Sequence, residues 1–139
     1  MANEVHLDID EGRLNEVVMG QTTRFVNGFV RRVVTEAVAL APKRTGALAR
    51  STHSDPVVHT GPWTIETGVS ADVRYAGPVH EGARPHVIRP RRVGGVLAFQ
   101  IGGRQIFAAR VNHPGQRSQP FIRNAVHRVT SADPRITMQ

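Results

Sequence analysis

Seven histidines are the first residues in this chain that could do chemistry. They stand singly, at His6, His53, His59, His80, His86, His113 and His127, and the pair His80-Glu81 with His86 could in principle meet in space to hold zinc. Zinc takes three or four N, O or S ligands in a tetrahedron. No HExxH-type spacing supplies them, so histidines in turns and on solvent-facing strands are the simpler reading. A serine nucleophile needs a base oriented by a carboxylate, yet Ser51, Ser54, Ser70, Ser118 and Ser131 have no GxSxG elbow around them. Carboxylate pairs of the glycosidase kind are confined to Glu66, Asp72 and Glu81. Neither a GxxxxGK[ST] nor a GxGxxG phosphate loop occurs, and Gly94-Gly95 and Gly102-Gly103 read as turns. No catalytic residue, metal ligand or cofactor is expected, and the chain is read as a non-enzyme.

Arginine carries the stronger signal. Lys43 is the single lysine beside seventeen arginines, and the formal charge is +7. From Gly82 to Ala132 there is no Asp or Glu, whereas Arg84, Arg89, Arg91, Arg92, Arg104, Arg110, Arg117, Arg123 and Arg128 all fall there. Such a face can neutralise phosphates without regard to base sequence, giving salt-sensitive binding. Alternatively, its arginines meet carboxylates of a neighbouring copy, ten of the eleven lying at or before Glu81. The second reading is favoured because Phe99, Phe107 and Phe121 are spaced like core residues, not like stacking platforms for bases. Arg84, Arg89, Arg91, Arg92, Arg104 and Arg110 are therefore candidates for a subunit interface or a DNA channel.

The elements that must carry these residues follow from hydrophobic spacing. Val5, Leu7 and Ile9 alternate with His6, Asp8 and Asp10, as in a strand or extended arm. From Glu11 to Leu40, Leu14, Val18, Phe25, Phe29, Val33, Ala37 and Leu40 form a helical stripe, flanked by Val17, Val26, Val30 and Val34. Asp10 suits the N-cap, and Pro42 ends the helix by pushing its predecessor out of the α region. Gly20 and Gly28 weaken it by about 1 kcal/mol each. An unbroken helix of this span is roughly 45 Å long, which is long for so small a chain; part of its apolar face is expected to meet another subunit.

After it come a short helical turn over Ala47–Ser51, capped by Thr45, and a strand over Trp63–Val69. A compact segment at Tyr75–Gly82 precedes an extended run between Pro85 and Pro90. A hairpin turning at Gly102-Gly103 leads to a final helix from about Gln119 to Val129, with Phe121, Ile122, Ala125 and Val129 inward. The fold class read from this order is α+β: a long N-terminal helix, a central antiparallel β-sheet with a hairpin, and a C-terminal helix.

At 139 residues, 40% hydrophobic and 5% aromatic, the chain fits one globular domain over 1–139, with an arm at 1–10 and a flexible tail at 130–139. It has no cysteine, hence no disulfide or thiolate site. No apolar run reaches the roughly 20 residues of a membrane span, and MANEVHLDID lacks signal-peptide character. A soluble protein with no membrane partner, made in the cytoplasm, is expected.

Several short segments also resemble a known family. Ala41-Pro42-Lys43-Arg44-Thr45-Gly46-Ala47-Leu48, directly after the long helix, resembles the "AP-x-x-TG-x-L" signature of a tailed-bacteriophage neck and tail-completion family. Tyr75-Ala76 with Val79-His80-Glu81-Gly82 is similar to its "YA…VE-x-GT" segment, although His80 precedes Glu81 and Ala83 stands where Thr is common. Arg84-Pro85-His86-Val87-Ile88-Arg89-Pro90, Leu97 with Phe99, and Val111-Asn112-His113-Pro114-Gly115 are also similar. Gln119-Pro120-Phe121-Ile122-Arg123-Asn124-Ala125 resembles the closing helix start. The order spans residues 14–129.

This resemblance implies a non-enzymatic virion subunit, assembled in the host cytoplasm, that forms a homo-oligomeric six-fold ring where head meets tail. It would contact other neck and tail proteins (connector or stopper, tail terminator or tail tube) and surround the genomic DNA path without base specificity. The resemblance gives the motif residues scaffold roles. Thr45 and Gly46 turn the chain, Leu48 and Tyr75 anchor that turn, and Pro120 starts the last helix with Phe121 in the core.

Overall fold

A computed structural model of the chain describes residues 9–136. Most of the expected N-terminal arm lies outside them. The described residues divide into two compact units, one within Met1–Val73 and Phe121–Gln139, the other Arg74–Pro120. The α+β class is as the hydrophobic pattern predicts, with long helix, antiparallel strands and C-terminal helix in that order.

In the first unit, α1 runs over Glu11–Leu40 without a break. Asp10 caps it as expected, its side chain accepting from Arg13 N at 3.0 Å. The helix ends at Ala41, whose ψ of 137° is the extended conformation that Pro42 demands of its predecessor. Helix α4, Phe121–Ala132, packs antiparallel on its C-terminal half: Arg128 reaches Glu36 at 3.5 Å and Asp133 reaches Arg32 at 3.0 Å. The core between them is Val30, Val33 and Ala37 of α1 with Phe121, Ala125 and Val129 of α4, all buried. The frayed end expected from residue 130 is corrected for the residues described. The last helix runs to Ala132, Thr130 is buried, and Asp133 is held by two arginines.

The same unit contains helix α2 (Ala47–Ser51) and four short strands: β1 (Thr52–Ser54), β2 (Val58–Gly61), β3 (Thr64–Glu66) and β4 (Val69–Ala71). They pair antiparallel as β1 with β4 and β2 with β3. The single strand expected over Trp63–Val69 is thus two. At Thr67-Gly68 the chain leaves β2 and joins β1, because Asp55 N donates to Gly68 O at 2.9 Å and Thr67 Oγ1 donates to Asp55 O at 2.9 Å.

The second unit contains helix α3 (Ala76–Glu81) and strands β5 (His86–Ile88), β6 (Leu97–Ile101), β7 (Arg104–Ala108) and β8 (Val111–His113). β5 pairs with β8 and β6 with β7, so the pairs are nested as the base and tip of one interrupted hairpin. The expected turn is present, with Gly102 and Gly103 at φ of 57° and 81°. The described strands are arranged as four antiparallel two-stranded pairs.

Candidate interaction surfaces

The chemistry-bearing residues do not converge. His53 lies near two carboxylates, 3.8 Å from Asp55 Oδ1 and 3.6 Å from Asp72 Oδ2, while its Nδ1 is 3.0 Å from Ser51 O. The Ser51 carbonyl first, and then the charges of Asp72 and Asp55, raise its pKa above the ordinary histidine value. The nearby Ser70 hydroxyl donates to Asp55 at 2.9 Å and so is bound to the carboxylate. His80 Nδ1 lies 2.7 Å from Glu81 Oε1. His86, weighed above as a companion ligand to that pair, instead stacks on His113, its register partner across β5 and β8, with ring centroids 5.0 Å apart. His86 Nδ1 donates to Arg84 O, whereas His113 Nδ1 accepts from Gly115 N, so the two rings take opposite tautomers. Among the described residues no three His, Asp or Glu side chains gather in a way that could hold a metal ion.

The motif residues form two separate clusters. In the first unit, Leu48 is buried and Pro42 half-buried. Thr45 does not cap α2 as expected. Gly46 occupies the N-cap position in the left-handed conformation, with φ of 70°, and Thr45 Oγ1 is only a distant acceptor for Ala47 N at 3.4 Å. Phe121 is buried as expected, directly after half-buried Pro120.

In the second unit, segments more than 30 residues apart close on one another. Ala83 N donates to Gln116 O at 2.9 Å and Gln116 N to Ala83 O at 2.8 Å. Ser118 Oγ donates to His80 O at 2.7 Å, and Gln119 N to Val79 O at 2.9 Å. The Glu81-Gly82, Pro85 and His113-Pro114-Gly115 motifs are therefore one junction at the base of the nested hairpin. Tyr75 is 44% exposed and sits at the N-cap of α3.

The charge split sharpens when taken by unit. Arg74–Pro120 holds eight arginines against one carboxylate, Glu81, so its formal charge of +7 equals that of the whole chain. The other unit balances ten cations with ten carboxylates. Arg84, Arg89, Arg91, Arg92, Arg104 and Arg110 are all exposed, and none of the six makes an ion pair among the described residues. Arg91 and Arg92 belong to the loop 89–96, which is closed by Gly95 N donating to Arg92 O at 3.0 Å; Arg104 stands at the start of β7 beside the turn.

Comparison with protein-family models, with curated proteins and with solved structures finds no match.

A second surface lies on α1. The buried stripe is Met19, Val30, Val33 and Ala37, with Val26 half-buried between them. Leu14, Val18, Phe25 and Phe29 lie roughly a quarter-turn to one side. Phe25 and Phe29 are covered in part by guanidinium groups, Arg135 at 4.7 Å and Arg32 at 5.9 Å from the ring centroids. Towards the N-terminus that cover stops, leaving Leu14, Val17 and Val18 exposed at 49%, 59% and 39%. Among the described residues, the exposed large apolar side chains of α1 are thus confined to its N-terminal end. The sequence reading missed Asp133, a lone acid in a basic stretch. Its one signal was position, one residue beyond the last turn of an amphipathic helix.

No described helix is long and apolar enough to cross a membrane.

Proposed function

We propose that this protein is a structural subunit of the neck of a tailed bacteriophage, forming a homo-oligomeric six-fold ring that joins or completes the tail at the head–tail interface around the DNA channel. Its motif segments, similar to those of the neck and tail-completion family, support the reading because distant ones meet at a single junction, bridged by Ala83 and Gln116. The observation that carries the ring itself is the uncovered apolar end of α1 in a helix otherwise packed along its length. Exposed apolar side chains side by side on a helix support a contact with another chain. The role is scaffolding, in contact with other neck and tail proteins and, without base specificity, with DNA in the channel. Native mass spectrometry of the purified chain, alone and with connector and tail-tube proteins, tests it. A six-fold or similar closed assembly is expected; a strict monomer that ignores every partner overturns the proposal.

A second reading is favoured by one observation, the confinement of all net charge to the hairpin unit with its arginines exposed. On this reading the chain is a small basic nucleic-acid-binding protein. Duplex DNA binding should then fall steeply with salt, and charge reversal at Arg89, Arg91 and Arg92 should flatten that slope. No binding at low salt eliminates it.

A further inference from the structure

We propose that the uncovered apolar strip on α1 of one copy is covered by the β6–β7 hairpin and 89–96 loop of the next copy, a head-to-tail contact that repeats around the assembly. The inference rests on the ring reading and adds to it the two surfaces that meet.

Each surface needs a partner for its own physical reason. On α1, Leu14, Val17 and Val18 are exposed at 49%, 59% and 39% among the described residues. In the hairpin unit, no residue of β5 to β8 is buried, and an isolated two-stranded pair is marginal at best in water. Among the described residues β6 and β7 pair only with each other, leaving their outer edges without a described strand partner. Phe107 stands on the face of the tip shared with Ala98, Gln100 and Gln105, and is 63% exposed. A single large exposed aromatic beside small and polar neighbours is the kind of anchor that interfaces are built around.

Charge decides which surfaces pair. Among the described residues, the N-terminal end of α1 carries three carboxylates, Asp10, Glu11 and Glu16, against one arginine, Arg13. The 89–96 loop carries Arg91 and Arg92 beside the exposed Val93 and Val96, and Arg104 pairs in register with the exposed Ile101 on the strand face opposite Phe107. Hairpin against hairpin would bring two sets of eight arginines together, and strip against strip would oppose two acidic helix ends. Both symmetric pairings are repelled. Only the mixed pairing joins opposite charges and apolar area at once. A mixed contact leaves a free strip at one end of the series and a free hairpin at the other, so it propagates to a closed ring or an open filament.

The absence of cysteine from the chain makes the test direct. Val18→Cys and Phe107→Cys are prepared separately, both at exposed positions, with circular dichroism to check that each folds. Mixing the two under mild oxidation should give a Val18→Cys to Phe107→Cys disulfide far faster than either variant gives a homodisulfide, and the rate should fall several-fold at high salt. Glu11→Arg with Glu16→Arg should slow it, and Arg91→Glu with Arg92→Glu on the other partner should restore it. A fast Val18→Cys homodisulfide would mean that helix ends meet each other, and would overturn the proposal. So would a doubly substituted chain that closes on itself as a monomer, or no mixed disulfide at the highest soluble concentration. If Arg91→Glu with Arg92→Glu abolishes duplex binding yet leaves the mixed disulfide unchanged, the loop serves nucleic acid and the charge pairing is wrong. Closed assemblies by native mass spectrometry without the mixed disulfide would sink this contact and leave the ring standing.

Discussion

Gly82 and Gly115 flank the two hydrogen bonds that join Ala83 to Gln116, each with its open side against the opposite backbone. A Cβ at Gly115 would stand 2.5 Å from Ala83 O, and one at Gly82 would stand 2.8 Å from Gln116 O. Both have positive φ, 88° and 83°. Gly115→Ala and Gly82→Ala therefore combine left-handed strain with a backbone clash, and should each cost more than about 2 kcal/mol of stability in the hairpin unit. Gly94→Ala shares the positive φ but has nothing within 4 Å, and should cost only about 1 kcal/mol. Amide hydrogen exchange of β5 and β8 in the three variants separates the cases; equal loss at Gly94 and Gly115 would contradict the close approach.

Asp133 is buried at 4% exposure and binds two guanidinium groups, Arg135 at 2.7 Å and Arg32 at 3.0 Å. Those hydrogen bonds, Arg135 first, hold its carboxyl well below the usual carboxylate range. A depressed folded-state pKa means stability that is present above the unfolded value of about 4 and lost as pH falls below it. Asp133→Asn should accordingly be less stable than the natural chain at pH 7, with the gap narrowing as pH drops through about 4 towards 2. Thermal melts of both chains across that window check it. A gap independent of pH would show that the charge plays no part.

His53 has the opposite sign. Its raised pKa favours the protonated ring, so its contribution is complete below the unfolded value of about 6.5 and disappears as pH rises through the folded one. In a proton NMR titration its midpoint should lie above 6.5, and Asp72→Asn should move that midpoint down. No movement would remove Asp72 as a cause.

Gly28 lies inside α1 with nothing within 4 Å of an added Cβ. Gly28→Ala should stabilise the first unit by about 1 kcal/mol through helix propensity alone. Chemical denaturation is the measurement, and a loss of stability would mean that another chain approaches the helix closely there.

Local physics made α1 legible before any tertiary contact was known. Asp10 supplies a side-chain acceptor for the free amides of the first turn, apolar residues recur at helical spacing for thirty positions, and Pro42 forces the chain out of the helix. The Gly102-Gly103 hairpin was legible in the same way, because its turn conformation is a property of two residues. Tertiary structure alone decided the rest. Which stripe of α1 is buried depends on where α4 lies, since both stripes are apolar and only packing distinguishes them. Likewise the split at Gly68 depends on a distant partner, Asp55, and the junction of Gly82 with Gly115 on a contact across more than thirty residues. Sequence spacing registers a residue's neighbours along the chain; these choices are made by neighbours across it.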